Sequence, residues 1–226
     1  AGQEPRWSWS MFQDPARCAT PRGALALKHG QAIRLPAPTA RDGSPVLLWR
    51  MGVLDLPGCA REDLIDTLSL RQVAHLEDAI QFARAQSNRE RRLVRCRVVI
   101  DLKGIAILRT IPHINTGLKP TMKLGTAFFP EITASVTIVN APFAFETLWK
   151  LISIFLNDCI RAKVRIVGSN FADALTTHAM IDDIAALPKS LGGQADDYGA
   201  PEPVEAKAGA VIDRADPFVK ARPAED

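Results

Sequence analysis

The chain has 226 residues, of which 47% are hydrophobic and 23% are charged, and its formal net charge is +3. This composition is typical of an ordinary globular protein, and so small a positive charge gives no indication of nucleic-acid binding. The most apolar stretch, residues 143–156, is interrupted by Glu146 and Lys150 and is shorter than the roughly 20 residues that cross a bilayer, which excludes a membrane span.

The first half of the chain is predicted to contain strands and helices after a segment of undefined structure. Residues 1–40 show no sustained hydrophobic period. Residues 46–49 are apolar and follow a turn and Pro45, and residues 93–100 are rich in β-branched residues, which predicts two strands. Residues 61–86 have helical spacing and lack Gly and Pro, and a second helix is predicted over residues 116–128.

The second half repeats the alternation of strand and helix. The predicted order is a strand over residues 133–139, a helix over 143–157, a strand over 164–167 and a helix from Asn170 to a stop at Pro188. Alternation of this kind favours right-handed crossovers and a mostly parallel sheet covered by helices. The predicted fold class is therefore α/β.

Three segments are predicted along the chain. Residues 1–40 form a poorly determined N-terminal remnant, and residues 41–193 form the folded domain. Residues 194–226 are rich in Ala, Pro and acidic residues and contain too few apolar residues to build a core, so they are predicted to form a disordered acidic tail.

The helix predicted over residues 143–157 is more apolar than packing on a sheet requires. At 100° per residue its apolar arc covers about 160° of the helix circumference, whereas an arc of about 100° is enough for one face. The surplus could contact another helix of the same domain, a partner protein, or an apolar ligand held between helix and sheet. Hydrophobic periodicity does not separate these alternatives.

Motifs for catalysis and metal binding are missing from the sequence. It contains no dinucleotide-binding glycine pattern, no phosphate-binding loop and no nucleophile elbow. The four histidines are scattered singly, and no cysteine has a partner at a metal-ligand spacing. We therefore expect a protein that is not an enzyme, has reduced thiols and, since it shows no signal-peptide pattern, is cytoplasmic.

Four stretches together resemble a known family. They are VVIDLKGI (98–105), FFPEITASVTIVNAPFAFETLWKLISIFLND (128–158), KVRIVGSN (163–170) and LPKSLGG (187–193). Their order and spacing are similar to those of the CRAL-TRIO lipid-binding domain, the fold of the yeast-type phosphatidylinositol transfer proteins. The resemblance implies a mostly parallel sheet that floors a hydrophobic lipid pocket, covered by helices that include a gate helix.

The same resemblance implies a ligand and a site. The ligand would be a phospholipid, phosphatidylinositol, with no other cofactor, carried between membranes or presented to other enzymes during transient peripheral contact with a membrane surface. Glu131 and Lys163 would bind the headgroup, because a carboxylate accepts hydrogen bonds from inositol hydroxyls and an ammonium suits a phosphate. The implied pocket and gate residues are Ile138, Phe143, Phe145, Leu148, Trp149, Ile152 and Phe155.

This sequence also differs from the family at some positions, and alternative functions stay open. Cys96 and Val98 stand where phosphatidylcholine-binding members of the family have hydroxyls, which argues against choline lipids. The domain could instead carry a hydrophobic ligand that is not a phospholipid, or bind a protein partner with its pocket collapsed. The arginine-rich residues 89–97 could dock on anionic lipid or simply form a solvated helix end.

Overall fold

A five-stranded sheet forms the centre of the computed structural model, which describes residues 31–34, 40–119, 122–123 and 131–195. The strands are β1 (Gln31–Arg34), β2 (Val46–Arg50), β3 (Cys96–Asp101), β4 (Thr133–Val139) and β5 (Val164–Ile166). They lie side by side in the order β1-β2-β3-β4-β5. β1 is antiparallel to β2, and the other neighbouring pairs are parallel.

The predicted α/β fold with a mostly parallel sheet is confirmed. β4 has the predicted bounds, and β2 extends one residue beyond the prediction. Their apolar residues are buried on both faces, as strands covered by helices on both sides require. β1 was not predicted, because four residues are too few to show a period. It places part of the 1–40 segment in the sheet, before the domain boundary predicted at residue 41.

The helix predicted over residues 61–86 is α2 (Ile65–Glu90) in the structure, and a short helix that was not predicted, α1 (Leu56–Arg61), precedes it. The backbone of Asp63 adopts a left-handed φ of 52°, which breaks the helical path between them. The sequence pattern missed this break because neither Gly nor Pro marks it. α2 is 26 residues long and packs its apolar face against the sheet.

The connection between β3 and β4 is irregularly helical, and the described residues of the helix predicted over residues 116–128 lie in a π-helical turn up to Leu118 and are α-helical at Lys119, Met122 and Lys123. Helix α3 (Ile107–Thr110) leads into a 3-10 turn at Ile111–His113 and a π-helical turn at Ile114–Leu118. Pro112 within this stretch lacks the amide proton that a continuous helix needs. Residues 120–121 and 124–130 lie outside the described residues, so the rest of that prediction is not tested.

The Asn-Ala-Pro sequence after β4 turns the chain away from the sheet. Asn140 takes a left-handed φ of 55°, a conformation that asparagine tolerates better than most residues. Its side-chain amide donates a 2.8 Å hydrogen bond to Oδ1 of Asp101, at the end of the neighbouring strand. The turn is therefore anchored to β3 as well as to β4.

The helix predicted over residues 143–157 is shorter than expected. Helix α4 covers Phe145–Ser153, and a separate short helix, α5 (Asp158–Arg161), follows it. The side-chain oxygen of Asn157 accepts a 2.8 Å hydrogen bond from the backbone amide of Ile160 and so caps α5. The capping residue was mistaken for the end of one long helix.

The C-terminal part of the domain is also less helical than predicted. Helix α6 (Ala172–Thr177) ends well before Pro188, and two 3-10 turns, Ile184–Ala186 and Lys189–Leu191, follow. Between α6 and the first of these turns, Ala179 and Ile181 are completely buried against the back of the sheet. Burial of this segment outweighs its helical propensity. Gln194 and Ala195 also belong to the fold, while the rest of the predicted tail, 196–226, lies outside the described residues.

The two faces of the sheet have separate cores. The back face packs Val46, Leu48, Val99 and Val139 against the C-terminal segment. The front face packs against α2 on one side and α4 on the other. A search of the described helices finds none with the length and hydrophobicity of a membrane span.

Candidate functional site

An apolar cavity of about 210 Å³ lies between the front face of the sheet and helices α2 and α4. Alternate residues of the strands form its floor, because successive side chains of a strand point to opposite faces. The floor residues are Trp49, Val98, Ile100, Val136, Ile138 and Val164. Gln72 and Leu76 of α2 line one wall, and the inner side of α4 forms another.

Five of the seven residues implied by the family resemblance line this cavity. Ile138 lies on the floor, and four residues come from α4. The rings of Phe145 and Trp149 pack with their centroids 6.5 Å apart, so two aromatic side chains stiffen this wall. The four α4 residues are Phe145, Leu148, Trp149 and Ile152.

Phe143 and Phe155 do not line the cavity. Phe143 precedes α4 rather than starting it, and its side chain is 97% exposed. The placement of Phe143 in the pocket is therefore corrected: the helix begins two residues later than predicted, which changes the direction of this side chain. Phe155 lies beyond the C-terminal end of α4, where it packs against the buried cluster that includes Ile138, Phe145 and Leu148. The ammonium of Lys119 sits 4.9 Å from the centroid of the Phe155 ring.

The wide apolar arc of α4 is divided between the interior and solvent. Leu148 and its neighbours on the inner side face the cavity. Leu151 is 41% exposed, and Ile154, just after the helix, is 68% exposed. Together with Phe143 they are the exposed apolar side chains at α4, defined here as the α4 outer surface. A surface of this kind is suited to contact with an apolar or amphipathic partner.

Glu131 and Lys163 meet beside the cavity. Glu131 lies just before β4 and Lys163 just before β5, and parallel neighbouring strands begin at the same edge of a sheet. Lys163 Nζ is 3.6 Å from Glu131 Oε2, an ion-pair distance that is too long for a good hydrogen bond. The adjacent residues Ile132 and Val164 line the cavity, which places the pair at its rim.

The ammonium of Lys163 is not fully satisfied by the described residues. Among them its buried Nζ atom has no hydrogen-bond partner, whereas the Glu131 side chain is largely exposed. Burying a charged donor without hydrogen bonds is costly, since an ammonium has three protons to donate. The site therefore has capacity for an additional acceptor beside Glu131.

The cysteine on the cavity side of β3 is chemically inert. Burial raises the pKa of the Cys96 thiol to about 12, so the reactive thiolate is not formed near neutral pH. The three cysteines within the described ranges, Cys59, Cys96 and Cys159, are free. Cys96 and Val98 are both buried, and neither side chain carries a hydroxyl.

The arginine-rich residues 89–97 do not form one surface. Arg97 is buried on the back of the sheet, where its Nη2 lies 2.7 Å from Oδ2 of Asp42. Arg92 pairs with Glu90 at 2.6 Å. Arg97 is thus held within the domain, whereas the exposed Arg89 and Arg92 both pair with Glu90. Among the described residues, no cluster of potential metal ligands is present.

Sequence reasoning missed the part of the cavity formed by β2 and α2. Trp49 follows Leu47 at the two-residue period of a strand, which is a usable signal for the same face. Gln72 stands one helical turn from both Leu68 and Leu76, which are buried, so its position faces inward. From the sequence alone, a glutamine in a helix is predicted to be solvated, because the packing partner of that helix face is unknown.

Comparison with known proteins agrees with this geometry. The family model for the CRAL/TRIO domain matches residues 39–193. The Sec14 cytosolic factor of Schizosaccharomyces pombe is 27% identical over 154 residues, which are 67% of this chain and 52% of that protein. The SEC14 cytosolic factor of Kluyveromyces lactis is 26% identical over 161 residues, which are 70% of this chain and 52% of the relative.

A solved structure extends the comparison to the fold. The crystal structure of Sfh5 superposes with a TM-score of 0.51 at 19% identity, covering 60% of this chain and 48% of that one. The chain spans about half the length of the Sec14 relatives that it matches. The resemblance inferred from the sequence is confirmed: the chain belongs to the CRAL/TRIO family.

Proposed function

We propose that this protein binds a phospholipid, phosphatidylinositol, and carries it between membranes or presents it to other enzymes. Its acyl chains occupy the apolar cavity, and its headgroup lies at Glu131 and Lys163. The observation that carries the proposal is the buried, incompletely satisfied ammonium of Lys163 at the rim of an almost wholly apolar cavity. The apolar cavity thus matches the acyl chains, and the charged pair beside it matches the headgroup.

Burial of lipid acyl chains in this apolar cavity lowers their free energy relative to water. Transfer of each methylene from water to an apolar site contributes about 0.8 kcal/mol. The cavity of about 210 Å³ is smaller than the roughly 300–1,000 Å³ of typical ligand pockets. A lipid with two chains therefore requires α4 to move outward, which is the motion expected of a gate.

The headgroup chemistry matches the pair at the rim. Lys163 donates hydrogen bonds to the phosphate as a compact positive charge. Glu131 accepts hydrogen bonds from inositol hydroxyls, and its exposure leaves it accessible from outside. A choline headgroup has no hydroxyl to donate to Glu131, so the pair favours inositol over choline.

The α4 outer surface supports a peripheral contact with membranes in the cytoplasm. Exposing apolar side chains such as Phe143 to water is unfavourable, and burial in a bilayer interface relieves that cost. Contact there would act on the same helix that closes the cavity. This coupling would open the gate where lipid is exchanged, and it requires no bond-making chemistry.

The test combines recovery of the ligand with matched variants. Native mass spectrometry of the purified protein identifies any bound lipid, and vesicle assays measure phosphatidylinositol transfer by Lys163→Ala and Glu131→Ala. We expect phosphatidylinositol in the wild type and at least a tenfold loss of transfer in each variant. Lys103→Ala, at an exposed turn after β3, serves as the control and should transfer normally.

Two results would contradict the proposal. Wild-type transfer rates in both variants would remove the headgroup assignment. Failure to recover lipid from the protein, or to load it from vesicles, would remove the carrier function. The exposed α4 outer surface would then favour the second candidate, a protein-interaction module, which binding of a partner blocked by Phe143→Ser would identify.

A further inference from the structure

A groove of about 670 Å³ lies where the C-terminal half of α2 meets the beginnings of β3 and β4. Its lining combines apolar side chains with the polar side chains of Arg84, Asn88 and Arg95. Glu131, one member of the headgroup pair, lines it as well. Of the described lining residues only Ile132 is shared with the apolar cavity, so the groove is a separate feature of the molecule.

A contact between α2 and β3 brings the polar residues to one place. The Ser87 hydroxyl accepts a 2.9 Å hydrogen bond from the backbone amide of Val94, the residue before Arg95. Arg84 lies one helical turn from both Ser87 and Asn88, so these three residues share one side of α2. Arg84 and Asn88 therefore reach the groove from the helix, and Arg95 reaches it from the strand.

The start of β4 forms the other side of the groove. The backbone amide of Cys96 donates a 2.7 Å hydrogen bond to the carbonyl oxygen of Ile132. The residues that precede these two, Arg95 and Glu131, therefore lie at adjoining strand starts. Glu131 in turn connects the groove to Lys163, whose Nζ is 3.6 Å from its Oε2.

Positive charge at this place exceeds negative charge. Within the described ranges, the side chains of Arg84 and Arg95 make no ion pair and no hydrogen bond. The Nε atom of Arg95 is covered by the protein, although the residue as a whole is partly exposed. A partly buried charge without a partner is unfavourable. With Lys163 and Glu131 included, three cations and one carboxylate leave two positive charges in excess.

We propose that this groove binds the dianion of a phosphate monoester, with Arg84 and Arg95 as its cationic contacts and the Asn88 amide as a neutral donor. Such a phosphate carries a charge of about −1.5 to −2 near pH 7, which matches the excess. The planar guanidinium presents parallel donors to two phosphate oxygens. The site is distinct from the headgroup site, where the phosphate at Lys163 is a diester.

A phosphate monoester can come from two sources. One is a free phosphorylated metabolite. The other is an additional phosphate on the inositol ring of a lipid whose headgroup lies at Glu131, and this second source alone rests on the proposed function. Both present the same chemistry to Arg84 and Arg95.

Calorimetry of the full chain with inorganic phosphate at constant ionic strength tests the groove without any lipid. We expect saturable binding of one phosphate per chain and at least tenfold weaker binding in Arg84→Gln and in Arg95→Gln, since charge-assisted hydrogen bonds are the strong ones. Arg84 is exposed, so Arg84→Gln should keep the wild-type melting temperature even if Arg95→Gln does not. Arg109→Gln is the matched control, because Arg109 is exposed on α3, beyond the other end of β3, and it should bind phosphate normally.

Two soluble headgroups distinguish the sources. Glycerophosphoinositol carries only a phosphodiester, and glycerophosphoinositol 4-phosphate adds a monoester. If the source is a lipid, the 4-phosphate should bind at least tenfold more tightly than inorganic phosphate, and Lys163→Ala should remove that gain. If the source is a free metabolite, the 4-phosphate should bind no more tightly than inorganic phosphate.

Failure of the groove and failure of the proposed function are distinguishable. The groove is overturned if the wild type binds neither inorganic phosphate nor glycerophosphoinositol 4-phosphate. It is also overturned if Arg84→Gln and Arg95→Gln keep wild-type affinity, or if Arg109→Gln loses as much affinity as they do. Lipid transfer by the wild type would leave the proposed function standing in each of these cases. Phosphate binding that depends on Arg84 and Arg95, in a protein that loads no lipid, would instead keep the groove and remove the carrier function.

Discussion

Arg97 and Asp42 form an ion pair behind the sheet, with Nη2 and Oδ2 2.7 Å apart. The same guanidinium donates 3.1 Å hydrogen bonds to the hydroxyl of Ser135 and to the backbone carbonyl of His178. Arg97 lies on β3, Ser135 on β4, and His178 follows α6. One buried cation therefore ties together the loop before β2, two strands and the C-terminal segment.

Removal of Asp42 should destabilise the fold strongly. In Asp42→Ala the guanidinium of Arg97 stays buried without its counter-ion, and breaking a buried pair from one side costs about 3 kcal/mol. Urea unfolding should show this loss as a lower midpoint with an unchanged slope. Asp182→Ala breaks the exposed pair with Arg41 and serves as the control, so its midpoint should stay close to that of the wild type. Equal midpoints for both variants would contradict the anchoring role of Arg97.

The pair also predicts an acid transition. Burial opposes ionisation of Asp42, but hydrogen bonds from Arg97 and Ser44 outweigh it and lower the pKa from 3.8 to about 2. Because the folded pKa lies below the unfolded one, this carboxylate stabilises the fold fully above pH 3.8. The contribution is lost as the pH falls towards 2. The difference in unfolding free energy between wild type and Asp42→Ala should therefore shrink over this window. A difference that is constant from pH 5 to 2 would count against the assignment.

The α4 outer surface should act in membrane contact rather than in folding. Phe143 is 97% exposed, so Phe143→Ser should leave the melting temperature nearly unchanged. Its removal takes a large apolar side chain from the surface, and we expect several-fold weaker sedimentation with phospholipid vesicles and slower lipid transfer. Leu93→Ser is a suitable control, since Leu93 is also exposed but lies at the opposite edge of the sheet. Unchanged vesicle binding by Phe143→Ser would exclude this surface as the contact.

Local patterns were enough to predict the central strands and the turn after β4. The run from Thr133 to Val139 is apolar and β-branched, and Pro142 marks its end, so the signal is contained within about ten residues. The family resemblance added Glu131 and Lys163, which the structure brings within 3.6 Å. Sequence position alone gives no reason for two charges 32 residues apart to meet, because parallel pairing of strands is a long-range property.

The errors have a common physical cause, which is tertiary contact acting against local propensity. The segment after α6 looks helical, but burial of Ile181 under the sheet keeps it out of a helix. Phe143 fits the apolar arc of an ideal helix, yet the helix starts only at Phe145. Trp49 and Gln72 become neighbours of one cavity only when α2 packs across the sheet.

A space-filling substitution tests whether the cavity holds the ligand. Val98 lies on the cavity floor, so the larger ring in Val98→Phe can enter the space of about 210 Å³ beside it. We expect a change in unfolding free energy of less than about 1.5 kcal/mol, together with a large loss of co-purifying lipid and of lipid transfer.

The neighbouring residue provides the matched control, because Val99 is completely buried in the back-face core. Val99→Phe has no cavity to fill and should lower the unfolding free energy by about 1–3 kcal/mol through overpacking. Calorimetry and lipid extraction of both variants measure the contrast between the two faces of the same strand. If Val98→Phe folds stably and still carries as much lipid as the wild type, the ligand lies elsewhere. If it is destabilised as much as Val99→Phe, the floor around Val98 is packed rather than open, and the volume beside it does not serve lipid tails.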